Sequence, residues 1–469
     1  MVLLYMNRRM TLIGIIVSAV IFVILNSFEL PGFSYQAKMS FIIFVIAAFL
    51  WMSNAFPLAI TGIIVLFLLP LTQAAPASTV YGYFGNSAVF FVLGAFILAS
   101  PVMRSGLSTR IAITMITRFG KGPRRLLLSI FTLSSLLAFV ISEHAVAAIL
   151  FPIVAEIVNA VEEKNSHNFA FAAFMCMAWG AMTGGTATLL GGARAPLAIG
   201  MLQETTNTTI SFIQWTLWTI PIVLIMLTVC FLITLFILRN TQISIEKARK
   251  TLISHKKKLG KVTQREINTL LVLSITIILW ILFGTGWGLD TIALFGVILA
   301  FALNITNWNE VEEDVKWGIF VMYGSAIALG TTLRDTGAAH AMVNVIVNSG
   351  IQSPLIIFML ISLIALVLTE LVSNAAAVAV LLPIGLALAG EYGIDPRAIT
   401  VAIATCAGLT YMLPVSTPAM AIVTGCHHVN PHRAMSWGFI LKLISYVVFI
   451  SVALVYWPLV GINGNANIL

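Results

Sequence analysis

The chain has 469 residues, of which 60% are hydrophobic and 9% charged, with a formal net charge of +8. A soluble domain carries about a quarter charged residues, so this composition excludes an ordinary soluble enzyme and indicates an all-α polytopic membrane protein. The positive charges gather in a few loops, where they report topology rather than a nucleic-acid-binding face, and the apolar runs are continuous rather than alternating, which sets a β-barrel aside.

The first run, Thr11–Phe28, follows Arg8-Arg9 and has the charge order of a secretory signal. It lacks a small-residue cleavage site and continues into Glu29-Leu30-Pro31, so it reads as the first span. About eleven spans of about 20 residues are expected in all. They begin near Thr11, Met39, Pro57, Ser87, Phe169, Trp215, Asn268, Asp290, Lys316, Ala398 and Trp437. Cys176, Cys230, Cys406 and Cys426 lie in or beside apolar segments without paired spacing and read as free thiols.

Two regions do not read as spans. Leu126–Ile141 and Ala145–Ile157 are separated by the polar triplet Ser142-Glu143-His144. Arms of roughly 12–16 residues reach about 18–24 Å, short of a ~30 Å hydrocarbon core. The pattern recurs in Pro354–Val372, Ser373-Asn374-Ala375 and Ala376–Ala389. Both read as re-entrant hairpins (126–157 and 354–390), tolerable only where the tips face protein or water.

The recurrence has a fixed offset. Ser142 and Ser373 are 231 positions apart, and so are Pro152 and Pro383, Gly106 and Gly337, and Thr186 and Thr417. The match needs no gap between roughly Gly85–Gly200 and Lys316–Pro431. Basic residues fix the sidedness. With the N-terminus cytoplasmic, Arg110, Arg118, Lys121 and Arg124 fall inside, as does the basic linker 239–267, whose plainer role is orientation and contact with anionic lipid. The first hairpin then enters from the cytoplasm and the second from outside. Duplicated, inverted halves meeting at mid-membrane indicate a secondary transporter.

Each hairpin is followed by a disrupted helix. Met182-Thr183-Gly184-Gly185-Thr186-Ala187-Thr188-Leu189-Leu190-Gly191-Gly192 breaks the span 169–200, and Leu413-Pro414-Val415-Ser416-Thr417-Pro418-Ala419-Met420 breaks 398–424. Gly and Pro at this density free backbone groups at mid-depth. Helix N-termini at the tips suit an anion, and C-terminal ends and turn carbonyls suit a small cation such as sodium. The plainer readings are capping by Ser142 and Ser373 and packing by the small residues.

These residues carry a resemblance. Thr369-Glu370-Leu371-Val372-Ser373-Asn374-Ala375 resembles the second hairpin motif of the divalent anion–sodium symporter family, within the ion transporter superfamily. Gly184-Gly185-Thr186-Ala187-Thr188-Leu189 and Met412-Leu413-Pro414-Val415-Ser416-Thr417-Pro418 resemble that family's two broken-helix loops. The resemblance implies uptake or exchange of dicarboxylates, tricarboxylates or sulfate-like anions, with sodium or a proton as coupling ion and no other cofactor. It also implies a homodimer in an inner membrane. Scaffold helices would fill 1–80 and 268–315, and moving repeat cores 81–238 and 316–469. Substrate contact is then expected at Ser142, Glu143, His144, Arg194, Ser373, Asn374, Ala375, Thr417 and Pro418, and cation contact at Ser142, Gly185, Thr186, Ser373, Asn374 and Ser416.

The chain departs from the family pattern in four places. The tips read Ser142-Glu143-His144 and Ser373-Asn374-Ala375 where Ser-Asn-Thr is usual. Gly192-Ala193-Arg194-Ala195-Pro196 and Ala419-Met420 also replace family residues. For Glu143, His144, Arg194 and Ala375 the resemblance therefore gives a position, not a role. Glu143 and Arg194 are ionisable at mid-membrane and expensive unless paired or functional. The expectation is that the Arg194 guanidinium lies beside Glu143 in the electrostatic place of a sodium, with Glu143 and His144 able to carry protons. A purely structural salt bridge and direct contact of Arg194 with an anionic substrate are the competing readings. Glu370 is expected to brace the second tip, with a cation-site or proton-carrying role as alternatives.

Cys426-His427-His428 with His432 resembles a metal-ligand group but falls in an expected cytoplasmic loop without an accompanying carboxylate. No phosphate-binding loop is present, which argues against ATP-driven transport. The rivals to a dicarboxylate carrier are a sulfate or sulfonate transporter, an anion channel of the same architecture, and a membrane metalloenzyme.

Overall fold

A computed structural model describes residues 8–161, 166–239, 243–348 and 350–462. They form 22 α-helices joined by short turns, with no strand among the described residues. Eight helices are long and apolar enough to cross a bilayer. Three shorter apolar helices, Leu58–Leu71, Leu289–Ala302 and Pro396–Cys406, add to them. The first helix, Arg8–Ser27, fully buries only Gly14, which lies against Ala55; Ile21, Phe22 and Leu25 pack partly against the core, and much of the remaining apolar surface faces outward. The expected linker 239–267 contains the helix Glu246–Lys258, and its residues 240–242 lie outside the described set.

The helix starts carry the internal repeat. Pro123–Ala138 and Pro354–Leu371 begin at the offset read from the sequence, each with proline in its first turn. Glu143–Asn159 and Asn374–Tyr392 do the same, and each is capped by the serine before it. Leu107–Phe119 pairs in this way with Ala338–Val347, Leu58–Leu71 with Leu289–Ala302, and Ala77–Gly82 with Trp308–Asp314. The duplication therefore reaches back beyond Gly85, where residue matching stops. Even unusual backbone repeats: Gly106 and Gly337 have φ of 84° and 79°, and Gln73 and Asn304 have 57° and 51°. Replacing Gly337 by alanine is expected to cost roughly 1–2 kcal/mol, the penalty of a Cβ in left-handed backbone. Thermal unfolding of the solubilised protein measures it.

Each expected hairpin tip joins two helices, and both arms of the second are among the eight long enough to cross. The first has arms Pro123–Ala138 and Glu143–Asn159, of 16 and 17 residues. The arms of the second, Pro354–Leu371 and Asn374–Tyr392, have 18 and 19 residues. At ~1.5 Å per residue these nearly match a ~30 Å core, so length alone does not separate them from spans. What marks them as a hairpin is the position of their tip.

The helix Ser166–Gly184 is the centre of the molecule. Its residues from Phe169 to Trp179 are all buried, against Pro123–Ala138, Glu143–Asn159 and Phe212–Leu238. A helix apolar on every side belongs in such a core. It ends at Gly184, and the chain resumes helix at Arg194–Thr206. The mirrored break separates Pro396–Cys406 from Pro418–Thr424.

Candidate functional site

The tips of the two hairpins touch. Asn374 Nδ2 donates to Glu143 Oε1 at 3.3 Å, joining residues that occupy equivalent places in the two halves. Glu143 is anchored to its own broken helix as well, because its amide donates to the Gly191 carbonyl at 3.0 Å. Helices Glu143–Asn159 and Asn374–Tyr392 both start at this contact, which brings their N-terminal ends close together.

Arg194 lies beside this contact. Its Nη1 lies 3.2 Å from Glu143 Oε2, and Nη2 donates to Thr186 Oγ1 at 2.7 Å. Glu143 is 0% and Arg194 2% exposed. The guanidinium also lies against Gly192 and Gly408, so close that a Cβ at either glycine would overlap it. Gly408 belongs to the second half, so this side chain of the first half reaches across the repeat boundary. The freed loop carbonyls meet the helix Phe212–Leu238: Trp215 Nε1 donates to Thr186 O at 3.2 Å, and Thr219 Oγ1, whose one proton serves either, lies 3.2 Å from Ala187 O and 2.9 Å from Trp215 O. This is the accounting that a buried loop demands.

A second buried ion pair serves the other half. Glu370 accepts the amides of Tyr411 at 2.9 Å, Met412 at 3.3 Å and Leu413 at 3.0 Å. Its Oε1 lies 2.9 Å from Lys442 Nζ, which also donates to the Leu409 carbonyl at 2.7 Å. Thr369 Oγ1 stands 2.7 Å from Ala407 O and 3.0 Å from Asn374 Oδ1, and its one proton serves one of them. Tyr411 Oη and Thr183 Oγ1, 3.0 Å apart, tie the two broken regions together.

The remaining expected residues surround this core. Ser142 and Ser373 accept the amides of Ala145 and Ala376, the capping geometry of the plainer reading. Thr417 caps Pro418–Thr424 through Met420 N and touches Met182 Sδ at 3.2 Å. Ser416 Oγ donates to Leu413 O, and Ala375 is buried beside Asn374. Gly185 backs Glu143 closely. His144 Nδ1 is buried without a hydrogen-bond partner, 3.8 Å from Glu143 Oε1. Among the described residues no three His, Cys, Asp or Glu side chains converge as metal ligands. His428 instead pairs with Asn159 Oδ1 at 3.1 Å and stacks on Phe174. The sequence reading passed over Lys442, Gly408 and Lys316.

Lys316 lines a cavity of about 270 Å³ between the helix Ser87–Arg104, the first tip and the start of the helix Trp317–Asp335. Ser142 and His144 form part of its wall. The Lys316 ammonium makes no hydrogen bond or close ion pair among the described residues, and the charge it feels most is that of Glu143 at the first tip. The acids on the same wall are engaged: Arg104 pairs with Glu313 and Asp314, each at 2.6 Å. Burial works against ionisation of Asp314, but the Arg104 guanidinium and the Ser100 hydroxyl together hold its carboxyl below the ordinary range.

The chain as a whole is similar to known proteins. A family described as the sodium:sulfate symporter transmembrane region matches residues 8–463. A sodium-dependent dicarboxylate transporter, SdcS, of Staphylococcus saprophyticus is 29% identical over 96% of this chain and 92% of its own. SdcS of Staphylococcus aureus is 28% identical over 97% of this chain and 93% of its own. Among solved structures, the YdaH transporter of Alcanivorax borkumensis superposes with a TM-score of 0.58 at 13% identity, over 87% of this chain and all of that one, a likeness of fold.

Proposed function

Because the chain belongs to the sodium:sulfate symporter family, we propose that it is a secondary transporter of small divalent organic anions, dicarboxylates first among them. The reading rests on the contact between Asn374 and Glu143, which brings two hairpin tips together over a buried charged centre. Two helix N-termini close together suit an anion's carboxylates. The substrate is held by the tips Ser142-Glu143-His144 and Ser373-Asn374-Ala375, with Thr417 and Pro418. The hairpins and broken helices move as one body past the other helices, in an elevator cycle. The protein works as a homodimer in an inner membrane with its N-terminus cytoplasmic.

Coupling departs from sodium symport. The Arg194 guanidinium sits on Glu143 and Thr186, where a cation among the first half's oxygens would sit. Transport then runs by proton coupling or by exchange of anions. Uptake in sodium-free medium at two pH values tests this, and strict sodium dependence would remove it. For the substrate, proteoliposome counterflow with dicarboxylates, citrate, sulfate and sulfonates is decisive. Exchange of dicarboxylates is expected. Sulfate, which the family description names, is the second reading, and counterflow with sulfate alone would establish it instead.

The Lys316 ammonium, in no close ion pair on the approach to the first tip, favours a doubly charged substrate. Lys316→Gln is expected to raise KM for a dianion by roughly tenfold, the effect of losing about 1.4 kcal/mol of attraction, with a smaller effect on a monoanion. Equal effects on both charge classes would assign Lys316 a structural role.

A further inference from the structure

Lys442 stands in the interior of the 25-residue apolar helix Pro431–Val455 and is itself buried. An ammonium at that depth is costly unless it does something there. Its two contacts are both oxygens: the Leu409 carbonyl at 2.7 Å, just beyond the C-terminal end of Pro396–Cys406, and Glu370 Oε1 at 2.9 Å. A half-helix carbonyl end with a carboxylate is the ligand set a small hard cation takes in a carrier. Arg194 has the same surroundings in the first half: a hairpin carboxylate, Glu143, and an oxygen of the broken helix, Thr186 Oγ1.

The two pairs are not related by the repeat. At the common offset Lys442 corresponds to Ser211, Glu370 to Phe139, Arg194 to Gly425 and Glu143 to Asn374. A brace inherited through the duplication would keep its register. Instead, unrelated positions in each half put one positive side chain between a hairpin carboxylate and a broken helix. What the halves share is the charge at that place.

We propose that Lys442 is a tethered cation for the second half, as Arg194 is for the first, so that both cation sites of the carrier are filled by its own side chains and transport runs without sodium. The inference rests on the transporter reading above and extends its first-half argument to the whole core. Glu370 is already neutralised, and a sodium ion on the same oxygens would meet the resident ammonium. No ion is then loaded or released with the substrate. The flux follows the gradient of the anion itself, and exchange of one dianion for another moves no net charge. This contrasts with the relatives named sodium-dependent.

The test uses the full chain in proteoliposomes, with succinate counterflow in sodium, potassium or choline chloride, together with thermal unfolding in the same salts. The parent protein is expected to exchange succinate equally in all three and to melt at one temperature. Lys442→Met empties the site but leaves Glu370 and the Leu409 carbonyl. It is expected to exchange poorly in choline and to be stimulated roughly tenfold or more by sodium. Sodium alone should also raise its melting temperature, since an ion that binds only the folded state stabilises it. Combining Lys442→Met with Glu370→Gln is expected to abolish both sodium responses. Sodium dependence of the parent, or a Lys442→Met variant without a sodium response in melting, would overturn the proposal. If the parent exchanges none of the tested anions, the transporter reading fails, while the sodium-specific melting shift of Lys442→Met still decides the cation site on its own.

Discussion

Arg194→Gln is expected to destabilise the protein by about 3–5 kcal/mol, the cost of leaving one member of a buried ion pair uncompensated, and to abolish anion exchange. The magnitude follows from what Glu143 would keep. Its carboxylate would retain one hydrogen bond, the 3.3 Å contact from Asn374 Nδ2, and the more distant charge of Lys316, with His144 Nδ1 3.8 Å away and no water-exposed surface. The Thr186 hydroxyl would lose its 2.7 Å donor at the same time. Removing both charges, Arg194→Gln with Glu143→Gln, is expected to recover most of the stability, because two neutral amides fill similar volume without a buried charge. Denaturant unfolding of the three variants completes the cycle. Counterflow then separates bracing from substrate contact. If the guanidinium only holds the tip, the double variant regains exchange. If it grips a carboxylate of the substrate, the double variant folds but neither it nor Arg194→Lys binds, since lysine lacks the planar two-point fork. Full stability and activity in Arg194→Gln would show the pair to be incidental.

Gly408→Ala is expected to cost about 1–3 kcal/mol, the range for forcing an extra carbon into a filled core. A Cβ there would overlap Arg194 Nε. The guanidinium cannot withdraw: Glu143 and Thr186 hold it in front, and Gly192 backs it. Either the loop after Cys406 shifts, dragging Leu409 from Lys442, or the Glu143 pair opens. Exchange should fall in either case. The clash is with one named side chain, so the penalty should shrink when Arg194→Gln is already present, with a coupling above about 0.5 kcal/mol. Gly390→Ala is the control, since nothing lies within 4 Å of its added carbon. That substitution is expected to be neutral or slightly stabilising, within about 1 kcal/mol. Equal losses at both glycines would assign the Gly408 effect to general backbone change.

Much of this architecture was legible because membrane folding writes itself in long, coarse signals. The apolar runs, the polar triplets at Ser142 and Ser373, and the Gly and Pro interruptions each follow from backbone hydrogen bonding in a solvent that offers none. The proximity of Glu143 and Arg194 was readable for the same reason, since two opposite charges at one depth have few places to go. The signal for Lys442 was equally strong, a single charge inside an apolar helix, but its partner Glu370 lies 72 positions away with no shared motif. Gly408 gave no signal, because a close approach across the two halves leaves no periodicity in either. The repeat was underread for a further reason. Leu58–Leu71 and Leu289–Ala302 share their starts and lengths but not their side chains, since lipid asks only that both be apolar.

The first helix, which fully buries only Gly14 and packs chiefly on the helix Tyr35–Ser53, has an influence out of proportion to its buried surface. Each crossing of a bilayer swaps the compartment in which every later loop emerges. Deleting this one crossing would remove packing chiefly from the helix Tyr35–Ser53, yet it would reverse the side of all the basic loops downstream of it. The chain would have to insert against its own charge distribution or leave one apolar segment uninserted. A helix nearly idle in the packed interior thus decides, by parity, which way round the whole machine is mounted.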